Sequence, residues 1–376
     1  MKKTVTNIAV ALAAAVLIAV FCGPAAAKVT GVCSNCHTMH NSQNGAVMAN
    51  GGPHATLLMN NCVGCHSSVD SSTTYDLGGS NVPVVNYTGG EPTDYLAGGN
   101  FYWVADNGGN DDAKGHNVLG VAGVDTLSKA PGGQISGTCL VGGCHGSLAK
   151  ENTRIPELGS GCEGCHLQVR HHADDRTDLV TGGYRITTAE QGCYRFLVAH
   201  SGDNHVKDFG VCGIEDGDWQ QLSKASETKH NEYIGVDGDN NTYINLSPSN
   251  PTITAFCCGC HGEFHKEQDG AGNWIKHPSD AVIPATGEYQ YAFASAGSGA
   301  AGIYDPLVPV SRPSLTAVSS NVTLGTDMVM CLSCHRPHGS PYDDLLRWDY
   351  SGMIAGGDVE NTTGCFACHT TKDTVG

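Results

Sequence analysis

The hydrophobic residues of this chain form one continuous run and are scattered everywhere else. The run covers residues 8–21 and directly follows a short N-terminal segment with two lysines. Beyond it, glycine-rich segments such as 78–81 and 98–100 interrupt any helical or strand periodicity, and glycine makes up 50 of the 376 residues, against the ~7% that is usual. The pattern therefore predicts mostly coil and turns, with short α-helices, little β-structure and an occasional hairpin.

The apolar run belongs to an N-terminal segment with three parts. Lysines precede it and an alanine triplet at 25–27 follows it, which is the order of charge, hydrophobic core and cleavage site in a secretion signal. The run is short for a membrane span. We expect residues 1–27 to be a signal peptide and the mature chain to be exported, to the extracellular space, the outer surface or the periplasm. Cys22 offers a lipoprotein alternative, which the bulky Phe21 before it disfavours.

Six copies of Cys-x-x-Cys-His are spread over the rest of the chain. In c-type haem attachment the two thiols bond the porphyrin edge as thioethers, and the histidine becomes the proximal iron ligand. Structural zinc uses thiolates at the same spacing, but it does not need a histidine directly after every second cysteine. The predicted haem c sites are Cys33/Cys36/His37, Cys62/Cys65/His66, Cys162/Cys165/His166, Cys257/Cys260/His261, Cys331/Cys334/His335 and Cys365/Cys368/His369.

A stretched copy of the motif lies between the second and the third. Four residues separate Cys139 from Cys144, which His145 follows. Gly142 and Gly143 give this longer loop the backbone freedom that it needs to present both thiols. We predict a seventh haem here, with a small disulfide loop as the alternative.

Three cysteines of the mature chain are not among the cysteine pairs that would attach haem. Cys193 and Cys212 occupy a long stretch without a haem motif, and we expect a disulfide between them in an exported protein. Cys258 lies between Cys257 and Cys260. It is expected to be a spare thiol, because only Cys257 has the Cys-x-x-Cys-His spacing.

Length and charge limit the organisation and the partners of the chain. Seven haems leave roughly 50 residues each, too few for independent polypeptide cores. We therefore expect one haem-bearing unit over 28–376, with haem-binding clusters near 33–66, 139–166, 257–261 and 331–369. The formal charge of -17 disfavours nucleic acid and favours cationic partners, although it could serve solubility alone.

The chain has enough histidines to give each iron a second imidazole. Of 18 histidines, seven are proximal and eleven are left over. This predicts bis-histidine ligation, which leaves iron no open position and suits electron transfer. The distal candidates are His40, His54, His116, His171, His172, His230, His265, His277 and His338.

Local spacing separates these candidates further. His40, His265 and His338 follow their own motif so closely that each is expected to ligate a neighbouring haem. Of His171 and His172, one is expected to be a ligand, and the pattern does not decide which. His200 and His205, in a polar turn, are expected to be surface histidines.

Several segments resemble the multihaem cytochromes of metal-reducing bacteria with doubled Cys-x-x-Cys-His motifs, including those that polymerise into extracellular filaments. The resemblance spans most of the mature chain but is specific only in the motifs. The matching segments are residues 33–42, 114–117 and 331–338, with 130–133 and 276–278 also similar.

This resemblance implies a nearly all-coil protein wound around a continuous stack of haems, in alternating parallel and T-shaped pairs. In the filament members, the second histidine of Cys-His-Thr-Met-His ligates a haem of the adjoining subunit, and that residue is His40 here. The hexahaem pattern lacks the stretched motif at 139–145, so the haem order and polymerisation do not follow from the resemblance.

We therefore expect an electron-transfer protein and not an enzyme. Its partners would be other cytochromes, metal-oxide acceptors or further copies of the chain, without nucleic acid and without a membrane span. One alternative is a monomeric periplasmic electron shuttle. Another is a multihaem reductase of the nitrite or hydroxylamine type, which needs at least one iron with an open face.

Overall fold

The computed structural model describes most of the chain after the N-terminal segment. The described residues are 29–43, 45–49, 54, 56–70, 72–105, 111–125, 130–133, 147–150, 161–167, 169–175, 191–198, 210–238, 246–265, 268, 274–297, 299–356 and 362–370. The expected signal peptide, the stretched motif at 139–145, His200 and His205 lie outside them. Within these ranges no helix is long and apolar enough to cross a membrane.

The helices are short, as the glycine content predicts. The α-helices are α1 (Cys62–Cys65), α2 (Tyr102–Ala105), α3 (Ile253–His261) and α4 (Cys331–Cys334). The 3₁₀ turns are Cys33–Asn35, Gly161–Gly164, Tyr194–Phe196, Leu222–Lys224, Gly287–Tyr289, Ala292–Ala294, Asp343–Leu345, Tyr350–Gly352 and Gly364–Ala367. α3 is the longest, and the Thr252 hydroxyl begins it by accepting the Ala255 N–H at 3.0 Å.

The strands are two to four residues long. They are β1 (Ser42–Gln43), β2 (Ala46–Val47), β3 (Ser67–Ser68), β4 (Thr74–Leu77), β5 (Ser80–Pro83), β6 (Asn86–Tyr87), β7 (Asp174–Asp175), β8 (Gln191–Gly192), β9 (Gly213–Ile214), β10 (Glu232–Ile234), β11 (Ala281–Val282), β12 (Ala301–Ile303), β13 (Ser311–Arg312), β14 (Asn321–Thr323) and β15 (Met328–Val329). The pairs β1-β2, β4-β5 and β12-β14 are antiparallel, whereas β3-β6 and β7-β8 are parallel.

One sheet has five strands, in the order β11-β15-β13-β10-β9. Only its β10-β13 pair is parallel. Tyr233 and Ile234 of β10 pack with Met330 and Leu332 in the larger apolar cluster. Since β15 leads directly into α4, the sheet fixes the position of the 331–335 motif. The Ser333 hydroxyl secures that junction by accepting the Met330 N–H at 3.0 Å and donating to the Pro309 carbonyl at 2.5 Å.

A buried ionic cluster crosses the same sheet. Arg312 donates to Glu232 at 2.7 Å and to Asp327 at 2.6 Å, and His230 contacts Glu232 at 3.0 Å. Glu232 and His230 are fully buried. Removing one member of a buried pair leaves its partner uncompensated, which costs about 3–5 kcal/mol.

We therefore expect Glu232→Ala to lower the midpoint of denaturant unfolding strongly, measured by circular dichroism on the haem-loaded protein. The matched control is Asp111→Ala, which breaks the more exposed Asp111–Lys114 pair at 3.2 Å. Surface pairs of that kind contribute about 0–1 kcal/mol. Equal midpoints for the two variants would contradict a structural role for the buried cluster.

Candidate haem sites

The six regular motifs share one local structure. Each begins on a short helical turn or at the end of a helix. In five of them the N–H of the histidine donates to the carbonyl of the first cysteine, which closes a turn of the α type. These bonds are His37 to Cys33 (2.9 Å), His66 to Cys62 (2.8 Å), His166 to Cys162 (2.8 Å), His335 to Cys331 (3.1 Å) and His369 to Cys365 (3.0 Å). The sixth motif has its histidine as the last residue of α3.

Each proximal imidazole uses Nδ1 for a hydrogen bond to the protein. The acceptors are the carbonyls of Thr56 for His37 (3.1 Å), Pro83 for His66 (3.0 Å), Arg195 for His166 (2.7 Å), Pro131 for His261 (2.7 Å) and Asp344 for His335 (2.7 Å), and the Glu288 carboxylate for His369 (3.3 Å). Carbonyl and carboxylate oxygens only accept, so Nδ1 carries the proton. Nε2 is then the nitrogen available to iron.

Four of these acceptor carbonyls lie at or next to a residue with a left-handed backbone conformation. Arg195 (φ 47°) and Asp344 (φ 58°) are acceptors themselves, whereas Leu57 (φ 61°) and Gly132 (φ 66°) directly follow the acceptors. A residue other than glycine is strained in this conformation, at about 1–3 kcal/mol each, and such strain concentrates at functional sites. The turns therefore follow from the need to aim a carbonyl at an imidazole.

Five proximal rings face a second histidine ring. An imidazole nitrogen binds a transition metal at about 2.0 Å, so two rings on opposite sides of one iron have centres about 6 Å apart. The observed pairs are His37–His172 (6.2 Å), His66–His171 (6.2 Å), His261–His116 (5.9 Å), His166–His338 (6.1 Å) and His369–His277 (6.2 Å). These separations fit an iron between each pair.

Burial keeps several of these imidazoles neutral, as iron ligation requires. Burial, with smaller repulsion from neighbouring imidazoles, lowers the pKa of His171 to about 4 and that of His338 to about 3. Burial likewise lowers the pKa of His261 to about 4. Neutral ligands are thus favoured before any metal is present.

Both members of the 171/172 pair lie opposite a proximal ring. His172 faces His37 and His171 faces His66, whereas the sequence analysis expected one ligand from the two. His338 faces His166 of another motif, in line with the expectation that it would not serve its own.

His335 differs from the other proximal histidines. It is exposed, and none of the described residues places a second histidine ring opposite it. His40 is also exposed. Its backbone is left-handed, at φ 89°.

Three further candidates lie elsewhere. His230 uses Nδ1 on the Ser226 carbonyl at 2.9 Å and Nε2 on Glu232 at 3.0 Å. Both nitrogens are therefore engaged with protein, and this geometry does not support His230 as an iron ligand. His265 is buried, and its carbonyl accepts the Ser279 N–H at 3.4 Å. His54 is half-buried. Ligation by His265 and His54 stays a prediction.

The thiols of successive motifs neighbour each other. The Cys62 thiol neighbours that of Cys162, and the Cys257 thiol neighbours that of Cys331. Three more pairs lie within electrostatic range, Cys36 with Cys65, Cys165 with Cys260 and Cys334 with Cys365. The motifs that begin at 33, 62, 162, 257, 331 and 365 thus form one uninterrupted series.

The remaining cysteines are buried. Cys193 and Cys212 lie on neighbouring segments, joined where the Tyr194 N–H donates to the Val211 carbonyl at 3.2 Å. This placement is compatible with the disulfide, which stays a prediction. Cys258 is 1% exposed, and both it and Cys257 lie near the Cys331 thiol.

Two buried arginines, which the sequence analysis did not identify, bear on whether this chain could hold a porphyrin. Arg336 donates through Nη1 to the Arg347 carbonyl at 3.2 Å. Its Nε and Nη2 are buried and have no hydrogen-bond partner among the described residues. Burial and the neighbouring Arg347 lower the pKa of Arg336 to about 9.

Buried cations of this kind need an anion. Haem propionates are carboxylates that the cofactor itself would bring, so the donor set fits haem. The sequence signal was present in principle, because Arg336 directly follows His335. A basic residue after a motif is too common to identify such a role alone.

This chain is similar to known cytochromes. A family model described as a doubled CXXCH motif matches residues 325–374. The C-type cytochrome OmcS of Geobacter sulfurreducens is 26% identical over 364 residues, covering 84% of this chain and 78% of that protein. The structure of OmcS nanowires from the same organism, solved by electron cryomicroscopy, aligns with a TM-score of 0.50 at 20% identity, over 92% of this chain and 91% of that one. The chain thus carries a doubled CXXCH motif and is similar to a multihaem C-type cytochrome that forms nanowires.

Proposed function

We propose that this protein is an exported heptahaem cytochrome that carries electrons over long distances, outside the cell and as a filament of identical subunits. The observation that carries the proposal is the uninterrupted series of six motifs, five of which have two facing imidazoles. When bound, the haem irons cycle between ferric and ferrous states. Closed ligation suits electron transfer and not substrate binding.

The chain's own residues would hold each cofactor. Paired thiols would attach it, and Nδ1 hydrogen bonds would orient the proximal ring. Arg336 and Arg347 would neutralise propionates. The distal ligands would be His116, His171, His172, His277 and His338.

The exposed His335 supports assembly into a filament. We infer that His40 of one copy supplies the second ligand of the 331–335 haem in the next copy. Exposed apolar residues accompany both partners. Met39 (71% exposed) lies beside His40. Leu346 pairs with His335 through a backbone bridge, and Tyr350 (69% exposed) lies four residues after Leu346. Exposed apolar surface of this kind marks interaction sites.

The test is the state of the secreted protein from a haem-maturing host. Whole-protein mass should give seven covalent haems and an N-terminus at Lys28, and electron microscopy should show fibres. Six covalent haems would contradict the seventh site, and fewer than six would contradict the six regular motifs as attachment sites. A protein that stays monomeric at high concentration would instead be the shuttle.

The seventh haem can be tested by itself. We expect Cys139→Ser with Cys144→Ser to remove the mass of one haem, because serine cannot form the thioethers. The six-motif series does not involve these two thiols, so electron transport along the filament should persist. The matched control, Cys162→Ser with Cys165→Ser, also removes one haem but interrupts the series. The same number of covalent haems in the 139/144 variant as in the wild type would favour the disulfide-loop alternative.

A further inference from the structure

The proximal histidine His369 donates its Nδ1 proton to a charged acceptor, whereas the other described proximal histidines donate to neutral ones. In five motifs the acceptor of the Nδ1 proton is a neutral main-chain carbonyl. For His369 it is the Glu288 carboxylate, with Nδ1 and Oε1 3.3 Å apart. Among the six described motifs, this haem site alone has an anion directly behind its proximal ligand.

The local structure holds Glu288 in place from two sides. Gly287 begins the 3₁₀ turn Gly287–Tyr289 in a left-handed conformation, at φ 65°, which glycine adopts without strain. The Thr370 hydroxyl, on the residue after His369, donates to the Glu288 carbonyl at 2.7 Å. Both backbone and side chain of Glu288 are therefore tied to the end of this motif.

The surroundings let the charge of Glu288 act on the ring. The side chains of Glu288 and His369 are 25% and 30% exposed, so water screens their interaction only in part. The Tyr289 ring lies 5.2 Å from His369 and covers it further. A carboxylate in this position makes an imidazole more basic and a stronger donor to a metal.

We propose that Glu288 is a positioning residue that acts through His369 and lowers the reduction potential of the 365–369 haem. The inference rests on the proposed function, because it requires haem at this motif. Reduction adds one electron to the ferric site. A nearby negative charge opposes that electron, and a more basic imidazole stabilises the ferric state. The last motif of the series is therefore harder to reduce than it would be with a carbonyl acceptor.

The ring planes distinguish this haem site from the other four with described histidine pairs. His277 and His369 are nearly perpendicular, at 87°, whereas the other four pairs lie between 16° and 52°. Perpendicular imidazoles give a highly anisotropic low-spin ferric signal in electron paramagnetic resonance. Its loss during reduction reports the potential of this haem apart from the other four haems with described histidine pairs.

The experiment is a potentiometric titration of the fully haem-loaded protein, followed by that signal. We expect Glu288→Gln to favour reduction of this haem by up to about tenfold, which is ~59 mV for a one-electron couple. Glutamine keeps the size and an acceptor oxygen but removes the charge. Glu288→Asp keeps the charge and should stay near the wild type. Glu91→Gln removes an exposed carboxylate of another segment and should shift nothing.

The possible results separate this inference from the proposed function. A haem count below six by mass would overturn the proposed function itself. If all haems are present and Glu288→Gln leaves the anisotropic signal titrating at the wild-type potential, Glu288 is only structural and the inference is wrong. A shift of equal size in Glu91→Gln would also overturn it, because the effect would then reflect net charge.

Discussion

Replacing His40 with glycine is expected to abolish filaments and to leave one haem per chain high-spin. The His335 imidazole has no second histidine opposite it among the described residues, so under the proposed function its iron depends on His40 of the next copy. Loss of that bond removes a metal ligand and a subunit contact together. Glycine suits the site because His40 lies at φ 89°, where a side chain is strained.

Two measurements check this expectation. Electron microscopy scores the fibres, and electron paramagnetic resonance counts the high-spin haem. Free imidazole provides the control within the same variant, because it should restore the low-spin state without restoring the fibres. Fibres of normal length with every haem low-spin would show that His40 is not the bridging ligand.

Replacing His338 with methionine is expected to interrupt conduction in the middle of the series. His338 faces His166 at 6.1 Å and packs on Phe101 at 4.7 Å, so the unbranched thioether should reach the same iron. A methionine ligand raises the potential of a haem, on the order of 0.1 V or more. An electron on that haem would then be held about 50-fold more strongly than on its neighbours, at 59 mV per tenfold.

Spectroscopy and conductance together test this second result. The variant should show one new high-potential haem and a fall in fibre conductance of at least about tenfold. The Cys139→Ser with Cys144→Ser protein is the comparison, since it loses a haem but keeps the series of described motifs. Unchanged conductance in His338→Met would mean that electrons do not pass through the 162–166 haem.

The attachment turns were predictable from the sequence, whereas the distal pairs were only partly so. The chemistry of one cofactor fixes Cys-x-x-Cys-His over five residues, and the confirmed fold class follows from the glycine content and the motif spacing. Distal ligation is a long-range contact, so no local pattern says that His172 meets His37. Hence the sequence could not predict that both His171 and His172 lie opposite a proximal ring.

His230 shows the limit of counting histidines. Its ring is held by Glu232, which in turn pairs with Arg312, 80 positions along the chain. Nothing near His230 in the sequence indicates that ionic cluster. The proposed roles of Glu288 and Arg336 could not be predicted from the sequence for the same reason. Glu288 depends on its contact with His369, and Arg336 on its burial, and both arise only when the chain folds.

Under the proposed function, the adjacency of His171 and His172 sets an order for biogenesis. Their partners, His66 and His37, lie more than a hundred residues closer to the N-terminus, so the motifs at 33 and 62 would be exported well before the residues that face them. Haem attached to these motifs at that stage would lack its second imidazole. Completion of both sites then occurs in a single event, when one dipeptide arrives.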